Sequence, residues 1–167
     1  MLVTHHKVLA VDYQKCIGCR ICEQWCSLSH HGVISPAKTR VNINKNEETG
    51  VNIPIICTQC SPAPCISVCP ENALSKDEKT GAIRVDTNRC VACRKCIIAC
   101  PNGVISLDTT GDSVLICDLC KGKPQCVDQC PTNALMYILP EIVGRERRSR
   151  IARATEKGEG SNDQNSC

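Results

Sequence analysis

Cysteines are the residues of this sequence that could do chemistry, since sixteen of the seventeen fall into four groups of one design. Every group opens with the pattern Cys-x-x-Cys and closes with the pattern Cys-x-x-x-Cys. Groups one to four are, in order, Cys16, Cys19, Cys22 and Cys26; Cys57, Cys60, Cys65 and Cys69; Cys90, Cys93, Cys96 and Cys100; and Cys117, Cys120, Cys126 and Cys130. Thiolates at this spacing are the ligands of cubane 4Fe–4S clusters, which take up and release electrons. The sequence therefore predicts four 4Fe–4S clusters.

The last cysteine of each group has a different position from the other three. It lies about one helical turn beyond the third cysteine, so its sulfur is expected to point away from the cluster that the first three hold. In two-cluster ferredoxins this fourth cysteine ligates the other cluster. A proline follows it in groups two to four and predicts the end of a short helix. In group one Ser27 follows Cys26, so this helix is predicted to continue to His30 and His31, which are expected to close the helix rather than to ligate iron.

Two other uses of paired cysteines fit the sequence less well. Structural zinc needs four ligands at one point and usually takes two Cys-x-x-Cys pairs separated by a longer stretch. A disulfide scaffold needs an oxidising compartment and is usually a shorter chain. Residues 1–10 lack the apolar core of a secretory signal, so a cytoplasmic location with reduced thiols is expected.

The segments around the groups indicate how they are arranged. Alternating apolar residues and turn residues predict β-hairpins at 41–56, 71–89 and 104–116. Groups two and three together look like one two-cluster ferredoxin, which leaves groups one and four as partners, so the strand at 8–11 is expected to pair with 134–138. The predicted fold is α+β, with two ferredoxin-like two-cluster modules, one inserted into the other, short helices, β-hairpins and a C-terminal helical tail. The split module comprises residues 1–56 and 102–140, and the inserted module comprises residues 57–101. Residues 141–167 are predicted to be a basic tail that is helical at first and then disordered.

Exchange of the fourth cysteine within each module predicts four ligand sets. Cluster 1 takes Cys16, Cys19, Cys22 and Cys130, and cluster 2 takes Cys117, Cys120, Cys126 and Cys26. Cluster 3 takes Cys90, Cys93, Cys96 and Cys69, and cluster 4 takes Cys57, Cys60, Cys65 and Cys100.

Composition supports an interior built around inorganic groups. The chain of 167 residues has no phenylalanine and only three aromatic residues, fewer than an ordinary core of this size would use. Folding is therefore expected to depend on metal. Four oxidised clusters with their thiolates would turn the formal charge of +3 into roughly −5, which does not suggest a nucleic-acid partner. No apolar run approaches the length that a membrane span needs.

The segment 141–157 is rich in arginine and has fair helix propensity. It is interpreted either as a solvated helix or as an arm that binds an acidic partner surface. Its candidate partner-binding residues are Arg145, Arg147, Arg148, Arg150 and Arg153.

Four stretches carry a resemblance to a known family: residues 16–22 (CIGCRIC), 57–65 (CTQCSPAPC), 117–122 (CDLCKG) and 130–135 (CPTNAL). Through Tyr137 the chain resembles the four-cluster, ferredoxin-like electron-transfer subunits of molybdenum- and tungsten-pterin oxidoreductases. Residues 27–36 look most like the small subunit of tungsten aldehyde oxidoreductase, and the related subunit of tungsten benzoyl-coenzyme A reductase is also similar.

The resemblance implies a subunit that is not catalytic alone. It would relay electrons between a larger pterin-containing catalytic subunit and a flavin subunit or ferredoxin acceptor, or pass them to another copy of itself placed end to end. A free polyferredoxin carrier stays open as an alternative, as does the equivalent subunit of a formate dehydrogenase, hydrogenase or carbon monoxide dehydrogenase. A cluster enzyme is disfavoured, because an open iron needs a group of three cysteines and each group supplies four.

Overall fold

Short helices and strands connect the cysteine loops. The computed structural model describes residues 6–145 and 148–149. In chain order the strands are β1 (Val8–Val11), β2 (Asn42–Asn46), β3 (Val51–Ile55), β4 (Leu74–Lys76), β5 (Ile83–Val85), β6 (Ser106–Leu107), β7 (Val114–Leu115) and β8 (Leu135–Ile138). The helices are α1 (Ile21–His31), α2 (Pro64–Ser67), α3 (Lys95–Ala99) and α4 (Gln125–Asp128).

The strands form antiparallel pairs, and one pair joins the two ends of the described chain. β1 pairs with β8, with Val8 opposite Ile138 and Val11 opposite Leu135. The other pairs are the hairpins β2–β3, β4–β5 and β6–β7. All four pairings were predicted from the sequence, and the mixture of helices and small sheets agrees with the predicted α+β class.

Two clusters of buried side chains divide the interior. The first joins Leu9 of β1 and Leu135 of β8 to Val41, Leu119 and cysteines of groups one and four. The second joins Leu74 and Ile83 to cysteines of groups two and three, and it also takes in the hairpin β6–β7 through Val104, Ile105, Val114 and Ile116. The hairpin therefore packs with groups two and three, on the other side of the predicted boundary at residue 102. The nesting of the modules stays a prediction.

Helix α1 is the longest of the four helices named above, and it continues past group one as the sequence predicts. It ends at His31, where Gly32 takes the left-handed conformation at φ 69° and its N–H donates to the carbonyl of Leu28. The short helices α2, α3 and α4 end before the Cys-Pro pairs of the other groups.

The start of the predicted tail helix is present. Residues 140–145 and 148–149 are helical, and Arg145 and Arg148 are exposed. Arg147, Arg150 and Arg153 lie outside the described residues. Over residues 6–145 and 148–149, the structure contains no helix that is long and apolar enough to cross a membrane.

Candidate metal centres

Each Cys-x-x-Cys loop turns through a left-handed residue directly before its second cysteine. These residues are Gly18, Gln59, Ala92 and Leu119, with φ angles of 67°, 54°, 50° and 55°. Only glycine adopts this conformation without steric cost. The loop geometry is therefore common to all four groups, although the residue that adopts it differs widely in size.

Three cavities are each lined by three cysteines of one group and the last cysteine of another. One is lined by Cys16, Cys19, Cys22 and Cys130, the next by Cys117, Cys120, Cys126 and Cys26, and the third by Cys90, Cys93, Cys96 and Cys69. These are the predicted compositions of three ligand sets.

The fourth predicted set is brought together around Cys57. Burial is the main cause that raises the pKa of the Cys57 thiol, to about 11, and the nearby charges of Cys65, Cys100 and Cys60 raise it further. The structure thus places Cys100 of group three beside the first three cysteines of group two.

The sets also approach one another. Burial raises the pKa of Cys117 most, followed by the charges of Cys57 and Cys126. Burial likewise raises the pKa of Cys126, with contributions from Cys26, Cys120 and Cys22. Cys22 and Cys126 connect the sets of groups one and four, whereas Cys117 and Cys57 connect those of groups four and two.

The cysteine chemistry fits iron–sulfur clusters. All sixteen group cysteines are free thiols. Burial also raises the pKa of Cys22, to about 12, so crowded thiolates need a cationic ligand to become stable. Backbone N–H groups of Arg40, Ala73 and Ala134 lie 3.3 Å from the sulfurs of Cys26, Cys69 and Cys130, where they stabilise negative sulfur.

A charged network lies beside the group-four cavity. His30 Nδ1 is 2.8 Å from the carbonyl oxygen of Cys26, and His30 Nε2 is 2.9 Å from Asp118 Oδ1. Since both partners accept, both ring nitrogens donate, and the hydrogen bond to Asp118 is the main cause that raises the pKa of His30 to about 12. Arg40 Nη1 lies 3.0 Å from Asp118 Oδ2. His30 and Arg40 both line the cavity, and the Asp118 carboxylate that pairs with them accepts a hydrogen bond from the backbone N–H of Cys120.

Comparison with known proteins identifies the family. Residues 49–138 match the 4Fe-4S dicluster domain, a stretch that contains groups two, three and four. The chain belongs to the 4Fe-4S dicluster domain family. Its cysteine groups serve four 4Fe–4S clusters.

Relatives of this dicluster protein include one named as an oxidoreductase subunit and one named as an electron transport protein. The polyferredoxin-like subunit of an aliphatic sulfonate oxidoreductase from Pyrococcus furiosus is 47% identical over 122 residues, which are 73% of this chain and 70% of the relative. The putative electron transport protein YsaA of Escherichia coli is 36% identical over 85% of this chain and 96% of its own length. A solved structure of the BamBC active-site complex of benzoyl-coenzyme A reductase matches with a TM-score of 0.47 and 24% identity, over 88% of this chain and 89% of that chain.

Sequence reasoning missed two features of this dicluster protein. It placed His30 at the end of α1 but did not detect its contact with Asp118, because 88 residues separate the two. It also gave no indication that Gln59 and Leu119 take the same left-handed conformation as Gly18 and Ala92 at the matching position. Alignment of the four groups on their cysteines could have revealed the second feature, because Gly18, Gln59, Ala92 and Leu119 all stand directly before the second cysteine.

Proposed function

We propose that this chain is an electron-transfer subunit that relays single electrons between a tungsten- or molybdenum-pterin catalytic subunit and a flavin subunit or ferredoxin acceptor. The observation that carries the proposal is the succession of cysteine sets that pack beside one another: Cys22 of group one lies in one buried cluster with Cys126 of group four, and Cys117 of group four also packs against the buried cluster that contains Cys57 of group two. Such a succession suits transfer through the protein rather than chemistry at one point. A bound 4Fe–4S cluster supplies one-electron oxidation and reduction.

The four crossed ligand sets are part of the proposal. Cysteines of groups one and four would hold two clusters within the split module, with Cys130 and Cys26 exchanged. Cysteines of groups two and three would hold the other two, with Cys69 and Cys100 exchanged. The cavity linings and the neighbours of Cys57 support this assignment.

The chain would not be catalytic alone. Each set brings four thiolates, so every cluster would be fully ligated by protein and would leave no iron open for a substrate. The role of this chain's residues would be to hold the clusters, to limit their contact with water and to stabilise their negative charge. Substrate chemistry would belong to the partner.

Two candidates for that partner differ in substrate. The resemblance of residues 27–36 favours a tungsten aldehyde oxidoreductase. The name of the Pyrococcus furiosus relative favours an enzyme that acts on aliphatic sulfonates. Both candidates give this chain the same role.

Isolation of the tagged full-length chain from its native cells, without oxygen, tests the proposal. A larger subunit that contains pterin and tungsten or molybdenum should co-purify, and its substrate should reduce the clusters of this chain. Aldehydes and aliphatic sulfonates, tested separately, distinguish the two partners. Recovery of the chain alone at native concentration, with rapid reduction by unrelated donors, would instead indicate a free polyferredoxin carrier.

A further inference from the structure

Gln59 is a large polar residue where the loop geometry favours a small one. It lies between Cys57 and Cys60, has a φ angle of 54° and is only 7% exposed. The same position holds Gly18 in group one, Ala92 in group three and the buried, apolar Leu119 in group four, so Gln59 is the polar residue among the four. Glycine would avoid the left-handed strain. The loop alone therefore does not explain a buried glutamine here.

Both ends of the Gln59 amide are hydrogen-bonded. Nε2 donates to the carbonyl oxygen of Cys117 at 2.8 Å, and Oε1 accepts from the backbone N–H of Ile83 at 2.8 Å. Ile83 belongs to β5, and Cys117 is the first cysteine of group four. One side chain thus joins the group-two loop, a strand beside it and the group-four loop. Because Ile83 is buried, loss of the amide would leave its N–H without this acceptor.

The contact lies where the two halves of the interior meet. Cys117 packs against both clusters of buried side chains, the one with groups one and four and the one with groups two and three. Gln59 is two residues from Cys57, which lies near Cys117. The Gln59–Cys117 hydrogen bond therefore ties together the two cysteine loops nearest this junction.

We propose that Gln59 is a positioning residue that fixes the separation between the group-two and group-four cysteine loops, and so between the two clusters that these loops would hold. The inference rests on the proposed function, because the separation matters for electron transfer between the halves. It assigns to Gln59 no role in ligating iron. The strained backbone of Gln59 is retained because its side chain satisfies the buried N–H of Ile83 on one side of the junction and the partly buried carbonyl of Cys117 on the other.

The test compares Gln59→Met, which keeps the length of the side chain but removes both hydrogen bonds, with Gln24→Met. Gln24 is an exposed glutamine on α1 and, like Gln59, is two residues from a group cysteine. Full-length protein with its clusters is prepared without oxygen. Iron content, hydrogen exchange at the Ile83 amide, and the magnetic interaction between fully reduced clusters in electron paramagnetic resonance spectra are measured.

Gln59→Met should keep its iron but exchange the Ile83 amide roughly five- to tenfold faster. Its cluster–cluster magnetic interaction should change, because that interaction depends steeply on separation. Gln24→Met should match the unmodified chain in all three measurements. Unchanged magnetic interaction in Gln59→Met would overturn the proposal.

Gln59→Glu serves as the second variant. It keeps an acceptor for Ile83 but loses the donor to Cys117, so the magnetic interaction should change while Ile83 exchange stays close to that of the unmodified chain. If both Gln59 variants lose iron and Gln24→Met does not, Gln59 is needed for cluster incorporation and its role in fixing separation is overturned. Failure to find a pterin partner would refute the proposed function without affecting this comparison.

Discussion

At the scale of single residues, the group-four and group-three cavities differ in the charged side chains that surround their cysteines. His30, Asp118 and Arg40 form a network beside the group-four cavity. Burial alone would raise the pKa of Asp118, but the hydrogen bond from His30 and the charge of Arg40 lower it well below its usual range. In the group-three cavity, Arg94 is a lining cation and Glu71 a lining carboxyl residue. The charge around these two cavities is thus set by residues outside the four cysteine groups.

Arg40→Gln should lower the reduction potential of the cluster at the group-four cavity. Reduction adds negative charge, and removal of a lining guanidinium destabilises the reduced form. An effect on the order of 1 kcal/mol corresponds to roughly 40 mV for one electron. A redox titration followed by electron paramagnetic resonance measures it. Lys38→Gln, two residues earlier in the chain, is the control and should give a much smaller shift; an unchanged or raised potential in Arg40→Gln would contradict the argument.

Cys26→Ser and Cys130→Ser should damage clusters in a crossed pattern. Cys26 lines the group-four cavity and Cys130 lines the group-one cavity, although each belongs by sequence to the other group. Spectra of the reduced single variants should show that Cys26→Ser alters the cluster with Cys117, and Cys130→Ser the cluster with Cys16. Damage confined to each residue's own group would refute the crossed sets.

At the scale of elements, spacing rules predicted the loops and hairpins well. Turn residues between short alternating stretches predicted the hairpins β2–β3 and β4–β5. These predictions succeeded because the paired strands are close together in the sequence. The pairing of β1 with β8 was predicted only because groups one and four each needed a partner group, and each had only the other left. The packing of the hairpin β6–β7 against groups two and three was not predicted. Neither the length nor the apolar pattern of the hairpin indicates which buried surface it contacts.

Leu119→Ala should destabilise the protein by roughly 2–4 kcal/mol, because Leu119 is fully buried among residues of β1, β8 and group four. The left-handed strain of this position remains with alanine, so no gain offsets the lost packing. Guanidinium unfolding, followed by loss of the cluster absorption, measures the change. Ile98→Ala, at a side chain that is 85% exposed, is the control and should stay within about 0.5 kcal/mol. Equal midpoints for the two variants would contradict the packing role.

At the scale of the whole molecule, the small apolar interior makes metal part of the folded state. Two clusters of buried side chains meet at Cys117, and each of them contains group cysteines. Thiolates with raised pKa values cannot stay crowded together without bound iron. Cluster binding and folding are therefore expected to be one process.

Anaerobically purified chain should contain about sixteen iron atoms and sixteen sulfides, four of each per cluster. Removal of iron by a chelator with a reductant should abolish the circular dichroism spectrum of the folded chain as the clusters are lost, because folding and metal binding are coupled. Iron analysis and circular dichroism on the same sample check both statements. A count near twelve that reconstitution does not raise would mean that one group is not a cluster site.

Deletion of residues 141–167 should keep the iron content but weaken association with the catalytic partner. Arg145 and Arg148 are exposed on the helical start of this segment, and guanidinium groups pair well with carboxylates. The loss of affinity should be accompanied by a weaker salt dependence of the binding that remains. Sedimentation of the reconstituted complex at two salt concentrations measures it; normal assembly of the truncated chain would leave the tail as a solvated extension.

The pairing of β1 with β8 also determines when each site can be completed during synthesis. A ribosome releases group one early, but Cys130 and β8 emerge only after more than a hundred further residues. The cysteines of groups two and three are all available much sooner, and contacts close in sequence form faster than distant ones. A nascent chain with the proposed crossed sets would have all ligands of its middle pair of sites while the first site still lacks Cys130, so this first site would be the one most exposed to oxygen during assembly.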